Sequence, residues 1–381
     1  MPDKKLNVLF LSSWFPTRII PTLGNFVQRH AEAAALQHNV TALIIQKDTS
    51  IQQYEINDVV ENSVRVVRVY YPNGNIFIQK RSAFKKGIKY LQQNGGFLFD
   101  IVQLNMVWKE GWQAVFIKKK YKIPFVISDN WTGYHLDQRG PLPWHIRSYM
   151  KWVGNNAALL IPVTQHLERA MRKLGFTPPS MIVPNVVNTD VFQIKDSTGT
   201  ALRFLHVSHL DNNHKNIKGI LKIWKKYSSL QNNVHLEIGG DGDLNQVKSW
   251  AQELDIHPDS ISFFGTQTPA EVAVRMQRSD ALVLFSNYEN LPLVMIEAMA
   301  CGLQVIATNV GGISEHLLNH PPHHLIDPRN EDALLSALER ISKIDLISKE
   351  KIREYAVKEF SKEVIATKFS TAYSAALKKS K

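Results

Sequence analysis

The chain of 381 residues has a single cysteine, Cys301, so no disulfide can form within it and a reducing compartment fits. Long apolar runs are missing too: none reaches the ~18–20 residues that span a bilayer. The opening "MPDKKLNVLFLSSWFPTRIIP" carries two lysines and a short apolar run. Trp, Pro and Arg follow at once with no small-residue cleavage site, so it reads as a first strand and not a signal peptide. A soluble, cytoplasmic protein is expected. Low-complexity tracts and solenoid repeats are absent. The dinucleotide fingerprint lacks its third glycine: "VHLEI" is followed by "GGDGDLN". Gly240 and Gly242 alone suit a turn better than a hydride-transfer site. No Ser-His-Asp, zinc or two-metal pattern is visible, so neither metal nor cofactor is expected. "HPPHH" at 320–324 has two prolines that preclude helical ligand spacing, and it reads as a solvated loop.

What is present describes a globular protein. Hydrophobic residues make up 44% and charged residues 21%, and the length is comfortable for two cores. The formal charge of +11 is unevenly spread. Residues 1–190 hold 23 Lys and Arg against 12 Asp and Glu, whereas the remainder holds 22 of each. All the excess lies in the first half, which points to an anionic partner there, either a membrane surface or nucleic acid.

Short β-branched runs alternate with helical patterns from end to end. Strands are predicted at 6–13, 40–46, 64–71, 100–105, 124–128, 159–164 and 181–184. A second series follows at 204–208, 234–239, 261–265, 281–286, 304–308 and 324–326. Helices lie between most of them, among them 25–36, 110–121 and 165–174, and the pattern is purely helical after about 346. This alternation argues for an α/β fold of two Rossmann-like domains with parallel sheets, facing across a central cleft at the carboxyl edges of their strands. The polar stretch "NTDVFQIKDSTGT" (188–200) reads as the linker.

Three loops carry candidate chemistry. In "FLHVSHLDNNHKNIKG" a strand ends near Ser208, and His209 and Lys215 stand in the loop that follows. Such a lysine can reach a phosphate as a point charge, and it can equally be a solvated surface lysine. In "YENLPLVMIEAMACG" Pro292 suits a first helical turn and Gly302 the position after the last, which predicts a buried helix over 293–301. Its free N–H groups make an anion site. Glu289 stands at the mouth and Glu297 in an otherwise apolar run, where an unpaired carboxylate would cost several kcal/mol. A buried arginine or backbone amides would explain Glu297 but not Glu289. Gly24, in "LSSWFPTRIIPTLGNFVQRH", allows close backbone approach to a ligand, though many loops carry such a glycine.

Taken together, these segments resemble the retaining glycosyltransferases of family 4, which have the GT-B fold. "SNYENLPLVMIEAMACGLQVIATNVGGISE" matches their Glu–seven residues–Glu signature through Glu289 and Glu297, with Gly311 and Gly312 in the turn after the next strand. "VSHLDNNHKNIKG", "IGGDGDLN", "ISFFGTQTPAEVAVRMQRSDALVLFS", "IVPNVVNTDVF" and "SDNWTGY" extend the resemblance over nearly the whole chain. It implies a nucleoside-diphosphate sugar donor and a glycan or lipid-linked acceptor, with retention at the anomeric carbon. Glu297 would bind the ribose hydroxyls and Glu289 the donor sugar, while Asn290, Leu291, Pro292 and Leu293 meet the sugar and diphosphate. Lys215 would neutralise the leaving group, the Gly24 loop would close on it, and Thr266 would lie near the base. The implied domains are an acceptor-binding half, 1–190, and a nucleotide-sugar half, 200–361, with a C-terminal helix at about 362–381 packing back on the first. Two positions depart from the family pattern: His209 stands where arginine is usual, and Asn130 where many relatives carry histidine. These two support the rival reading, a catalytically weak GT-B scaffold that binds nucleotide or glycan.

The basic first half then suggests a membrane. "FIQKRSAFKKGIKYL" mixes Lys80, Arg81, Lys85, Lys86 and Lys89 with Phe84, Ile88 and Leu91 at helical spacing. Such a segment can lie peripherally on an anionic inner surface, at ~1 kcal/mol per cation, or it can be a solvated basic face. No nucleic-acid motif accompanies the charge, so nucleic acid is not expected as a partner.

Overall fold

The computed structural model describes residues 5–134, 140, 142–195, 199–318 and 322–379. His320 of the "HPPHH" loop and residues 196–198 of the polar linker lie outside the described residues. The chain divides into two compact units, Met1–Val186 with Lys362–Lys381, and Val187–Ser361.

The first unit is a seven-stranded sheet. Its strands are β1 (Asn7–Ser12), β2 (Asn39–Lys47), β3 (Glu55–Glu61), β4 (Val64–Tyr71), β5 (Ile101–Leu104), β6 (Phe125–Ile127) and β7 (Leu159–Leu160). They lie in the order β3-β4-β2-β1-β5-β6-β7, parallel except for β3 against β4. Helices α1 (Asn25–Ala35), α2 (Ile76–Gln93), α3 (Val107–Tyr121), α4 (Trp144–Asn156) and α5 (Gln165–Lys173) connect them. The central strands are buried along their length, as in "IVQL" of β5, which is why they read as continuous apolar runs.

Two predicted strands shrink where proline interrupts the ladder. The run at 159–164 is reduced to β7 before Pro162, and 181–184 is no strand, its neighbour Ser180 making only an isolated bridge to Leu160. Proline has no N–H to give a sheet. The antiparallel edge strand β3, "EINDVVE", was not predicted. It is mostly exposed and polar, and it is held by a tight turn at Asn62 and Ser63, both with positive φ. Ion pairs Arg65–Asp58 and Arg68–Glu61 tie it to β4.

The C-terminal helix Lys362–Lys379 completes the first core. Ile365, Phe369 and Tyr373 pack with Phe10, Ala31, Ala34 and Val66, each large apolar side chain contributing about 2–3 kcal/mol of burial. The Tyr373 hydroxyl donates to Gln103 Oε1 at 2.6 Å, inside the sheet.

The second unit is a six-stranded sheet of β8 (Leu202–His209), β9 (Val234–Asp241), β10 (Ile261–Phe264), β11 (Ala281–Leu284), β12 (Gln304–Thr308) and β13 (His324–Ile326), in the order β10-β9-β8-β11-β12-β13. All its pairings are parallel. The helices are α6 (Ile217–Leu230), α7 (Leu244–Glu253), α8 (Pro269–Gln277), α9 (Leu293–Ala300), α10 (Glu331–Arg340) and α11 (Leu346–Phe360). The Arg353 guanidinium on α11 donates to the carbonyls of Ala300, Phe192 and Thr189, at 2.6, 2.5 and 3.0 Å. It thereby caps α9 and secures the start of the unit with one side chain.

Each sheet has a point where strand order reverses: between β1 and β5 in the first unit, and between β8 and β11 in the second. Loops leave such a pair of strands in opposite directions, and the crevice between them is where open α/β sheets hold ligands.

Candidate active site

At the reversal point of the second unit, two loops close on each other. Past β8, the Asp211 carboxylate caps a one-turn helix, Asn212–Lys215, by accepting from Asn213 N–H at 2.9 Å. Asn216, at φ 51°, ends that turn and starts α6. Past β11, the segment from Ser286 to Pro292 leads into α9. The Asn287 N–H donates to the His214 carbonyl at 2.8 Å, and its side chain donates to the Asn213 carbonyl at 3.0 Å.

This stapling brings Lys215 to Glu289. Lys215 Nζ lies 2.5 Å from Glu289 Oε1, and Ser286 Oγ donates to the same oxygen at 2.8 Å. His214 places Nε2 3.6 Å from Oε2, with its ring stacked on Tyr288 at 4.2 Å and 6°. Burial alone would raise the Glu289 carboxyl. The Lys215 charge and the His214 ring outweigh that penalty and hold it down at about 2. Beneath the pair, His206 is fully buried, and burial, with Lys215 adding to it, lowers its pKa to about 4. It is therefore neutral at pH 7. Its Nδ1 faces the Val283 carbonyl, which only accepts, so Nδ1 carries the hydrogen and Nε2 accepts from Ser208 Oγ.

The turn after β12 shapes the Glu289 loop from the other side. Gly311 has φ 62°, and a Cβ there would stand 1.9 Å from the Glu289 carbonyl oxygen. The Gly312 N–H donates to the Asn290 carbonyl at 2.9 Å, and Thr308 Oγ1 to the Ser286 carbonyl at 2.7 Å. Asn290, Leu291 and Pro292 are buried, leading to Leu293 at the first turn of α9. Glu297 is buried one turn further. Burial, and after it the Glu297 charge, pushes the Cys301 thiol up to about 12.

His209 is the exposed last residue of β8, with Nδ1 3.4 Å from Asp241 Oδ2. It is turned to that carboxylate at the rim. Thr266 is exposed beyond β10, the edge strand. His214, Tyr288 and Ser286 were missed by sequence reasoning. His214 adjoins Lys215 in "NNHK", but its stacking partner is 74 residues away.

In the first unit, Gly24 caps α1 at φ 73°, and a Cβ there would meet the Trp14 carbonyl carbon at 2.2 Å. The backbone of Trp14 already demands glycine, so its presence needs no ligand. Asn130 Nδ2 donates to Asn185 Oδ1 at 2.8 Å. Beside it the Asp129 carboxylate accepts from Val107 N–H, Trp131 N–H and the Tyr134 hydroxyl, while burial pushes its pKa up.

The basic segment folds as α2, but not as an amphipathic strip for lipid. Phe84, Ile88 and Leu91 are buried in the unit's own interior, with Phe84 edge-on to Trp112 and Phe116. Helical spacing alone did not say which surface they cover. Lys80 bonds Glu110 at 2.9 Å, and Lys86 lies over the Tyr54 ring. Arg81, Lys85 and Lys89 face solvent.

Two α/β units with parallel sheets, the second holding a Lys–Glu pair at its reversal point, define a GT-B glycosyltransferase fold. The model described as "Glycosyl transferases group 1" matches residues 188–359, and that of "Glycosyltransferase Family 4" matches residues 23–191. The chain belongs to this family of glycosyltransferases. An N-acetyl-alpha-D-glucosaminyl L-malate synthase of Bacillus anthracis is 27% identical over 190 residues, 48% of this chain and 49% of that one. That match thus spans about half the relative's length. TuaC of Bacillus subtilis strain 168, a glycosyltransferase assigned provisionally to teichuronic acid biosynthesis, is 22% identical over 88% of this chain and 89% of its own. Among solved structures, a sucrose-phosphate synthase from Thermosynechococcus elongatus superposes with TM-score 0.78 at 19% identity, covering 97% of this chain and 98% of that one. Anabaena HepE in complex with UDP-glucose does so with TM-score 0.72 at 15% identity, covering 97% and 99%.

Proposed function

We propose that the protein transfers a sugar from a nucleoside-diphosphate sugar to an acceptor hydroxyl with retention of configuration, in the synthesis of a cell-surface polysaccharide or lipid-linked glycan. The buried Lys215–Glu289 pair carries this reading. A diphosphate offers Lys215 a second anionic partner. The N–H groups of Asn290, Leu291 and Leu293 at the start of α9 would add donors for the same charge, and Glu289 is left to accept from a sugar hydroxyl. In this reading the departing diphosphate is neutralised by Lys215 and those amides, with no resident metal. Glu297 would take the ribose. The UDP-glucose bound by HepE supports a uridine donor as the first to test.

A thermal-shift screen of nucleotide sugars, followed by product analysis, tests this. One donor should raise the melting temperature several degrees and be turned over with its anomeric configuration kept. An inverted product rejects retention, and a chain that no nucleotide sugar stabilises rejects the reading. Binding without turnover would favour the scaffold, which His209, turned to Asp241, supports.

The acceptor would be met by the first unit at a membrane surface. Phe84, Ile88 and Leu91 are ruled out as lipid contacts by their burial. The first turn of α2 is different: Ile76, Phe77 and Ile78 are exposed, Phe77 at 84%, beside Arg81 and Lys85. Apolar tips flanked by cations suit an anionic interface. Phe77→Asp with Ile78→Asp should cut sedimentation with phosphatidylglycerol vesicles about tenfold, and raised salt should weaken the wild type. No sedimentation of the wild type at any salt concentration would sink this part.

A further inference from the structure

The Glu289 carboxylate is bonded unevenly. Its Oε1 accepts from both Lys215 Nζ and Ser286 Oγ, at 2.5 and 2.8 Å. Its Oε2 faces His214 Nε2 at 3.6 Å, roughly half an ångström beyond hydrogen-bond reach. That nitrogen is buried and makes no hydrogen bond among the described residues. A polar atom buried without a partner is destabilising and calls for a reason.

The ring is held in that position from two sides. It lies flat on Tyr288, the centroids 4.2 Å apart and the planes at 6°, and the His214 carbonyl accepts from the Asn287 N–H at 2.8 Å. Asn287, Tyr288 and Glu289 are consecutive, so the nitrogen and the carboxylate share one frame. The neighbouring groups do not fill the gap. His206 gives its Nδ1 hydrogen to the Val283 carbonyl and accepts at Nε2 from Ser208, which leaves it nothing to donate to Glu289. Among the described residues Glu289 forms ion pairs with Lys215 and His214 alone. One oxygen therefore carries a cation and a hydroxyl, while a fixed imidazole nitrogen waits just short of the other.

We propose that His214 is a positioning residue that takes over Glu289 when Lys215 turns to the diphosphate of a bound donor. A diphosphate draws the Lys215 charge away from Oε1, and Glu289 would then be a buried carboxylate short of its main partner. Closing the gap to His214 Nε2 replaces that contact. A neutral ring with its hydrogen on Nε2 can donate to Oε2, and so can a protonated one. Because Lys215 and His214 are adjacent on the same turn, the lysine side chain can swing while the His214 ring stays on Tyr288. Oε1 keeps Ser286 and regains a lone pair for a sugar hydroxyl. The diphosphate in this exchange rests on the glycosyl-transfer reading, whereas the contact between His214 and Glu289 does not.

Two substitutions in the whole protein separate this role from simple packing. His214→Phe keeps a ring on Tyr288 and removes the nitrogen, and His214→Gln restores an N–H donor of similar reach. Thermal melts without ligand form the first arm. His214→Phe alone should hardly move the melting temperature, since Nε2 has no hydrogen bond to lose. Made in Lys215→Met, where Glu289 has lost its cation, it should remove several further degrees. Equal losses in the two backgrounds would overturn the proposal. Calorimetric titration with UDP-glucose, GDP-mannose and ADP-glucose forms the second arm, and it decides if the double variant does not fold. Whichever probe binds the wild type should bind His214→Phe about tenfold more weakly and His214→Gln within about threefold of the wild type. Unchanged affinity in His214→Phe would overturn the exchange while leaving the donor reading intact, and an equal loss in both variants would reduce His214 to packing and overturn it too. A wild type that binds none of the three probes would count against the donor reading, and the melts would then decide whether His214 takes Glu289 once Lys215 is withdrawn.

Discussion

Lys215→Ala is expected to cut glycosyl transfer at least a hundredfold and to lower the stability of the second unit together with it. On the proposed glycosyl-transfer reading, the catalytic part follows from removing a preorganised cation from where negative charge would develop, an effect of about 10²–10³ for comparable groups. The stability part follows from Glu289. That carboxylate is 4% exposed, and Lys215 is the full charge that stands 2.5 Å from it. Deleting one partner of a buried pair costs roughly 3–5 kcal/mol, because the other charge stays desolvated. The pH dependence gives a second readout. The folded pKa of Glu289, about 2, lies below its ordinary 4.5. Its ionised form is thus favoured in the folded state, a contribution on the order of 3 kcal/mol. It is fully present above the ordinary value and is lost as pH falls from about 4.5 towards 2. In Lys215→Ala the main attraction is gone while burial still opposes the charge, so this acid-limb loss should shrink. Lys215→Ala with Glu289→Ala should recover part of the melting temperature but no turnover. Thermal melts between pH 3 and 7, with turnover at pH 7.5, check all of this. A single variant that melts and turns over like the wild type would refute the pair's role.

The same pair marks how far the sequence could be read. The alternation of short apolar runs and helical patterns was enough for both sheets, and "VRVVRVYY" and "QVIAT" fall on β4 and β12 residue for residue. Buried parallel strands announce themselves by composition. The edge strand β3 does not, since its Ile and Val residues are interspersed with Glu, Asn and Asp and it depends on its hairpin with β4. In the site, spacing singled out Glu289, Glu297 and Lys215 as candidates. It could not show that Lys215 and Glu289 touch, since they lie 74 residues apart and meet only because β8 and β11 are neighbours. For the same reason His214 went unnoticed. Gly24 reads in the sequence as room for a ligand, whereas the Trp14 backbone already requires it. On α2 the periodicity was right and its target was wrong: the apolar stripe faces the domain's own interior. Local pattern reports which residues share a face, and tertiary contact decides what that face meets.

Gly311→Ala should be nearly as damaging to transfer as the loss of Lys215, with a different signature. Two penalties fall on this position. At φ 62° any side chain is strained, at a cost of roughly 1 kcal/mol or more. The larger effect is steric: the new Cβ would stand 1.9 Å from the Glu289 carbonyl oxygen and 2.6 Å from its carbon. Those atoms are backbone, so no rotamer change relieves the contact. Either the turn after β12 or the segment from Glu289 to Asn290 must shift by more than an ångström, and the Gly312 N–H to Asn290 carbonyl bond resists their separation. Glu289 would then leave the oxygen positions that Lys215 and Ser286 bond, and the amides leading into α9 would move with it. A misplacement of about 1 Å costs on the order of a hundredfold in rate. Since Lys215 and Glu289 are both still present and can re-pair after the shift, the loss in melting temperature should be smaller than in Lys215→Ala, while donor affinity and turnover fall together. Ser286→Ala provides the calibration: it removes one hydrogen bond to the same carboxylate without moving backbone, and should cost no more than about tenfold. Titration of UDP against Gly311→Ala, alongside its melting curve, separates the cases. Unchanged UDP affinity with unchanged turnover would mean that the turn after β12 does not hold Glu289 in place.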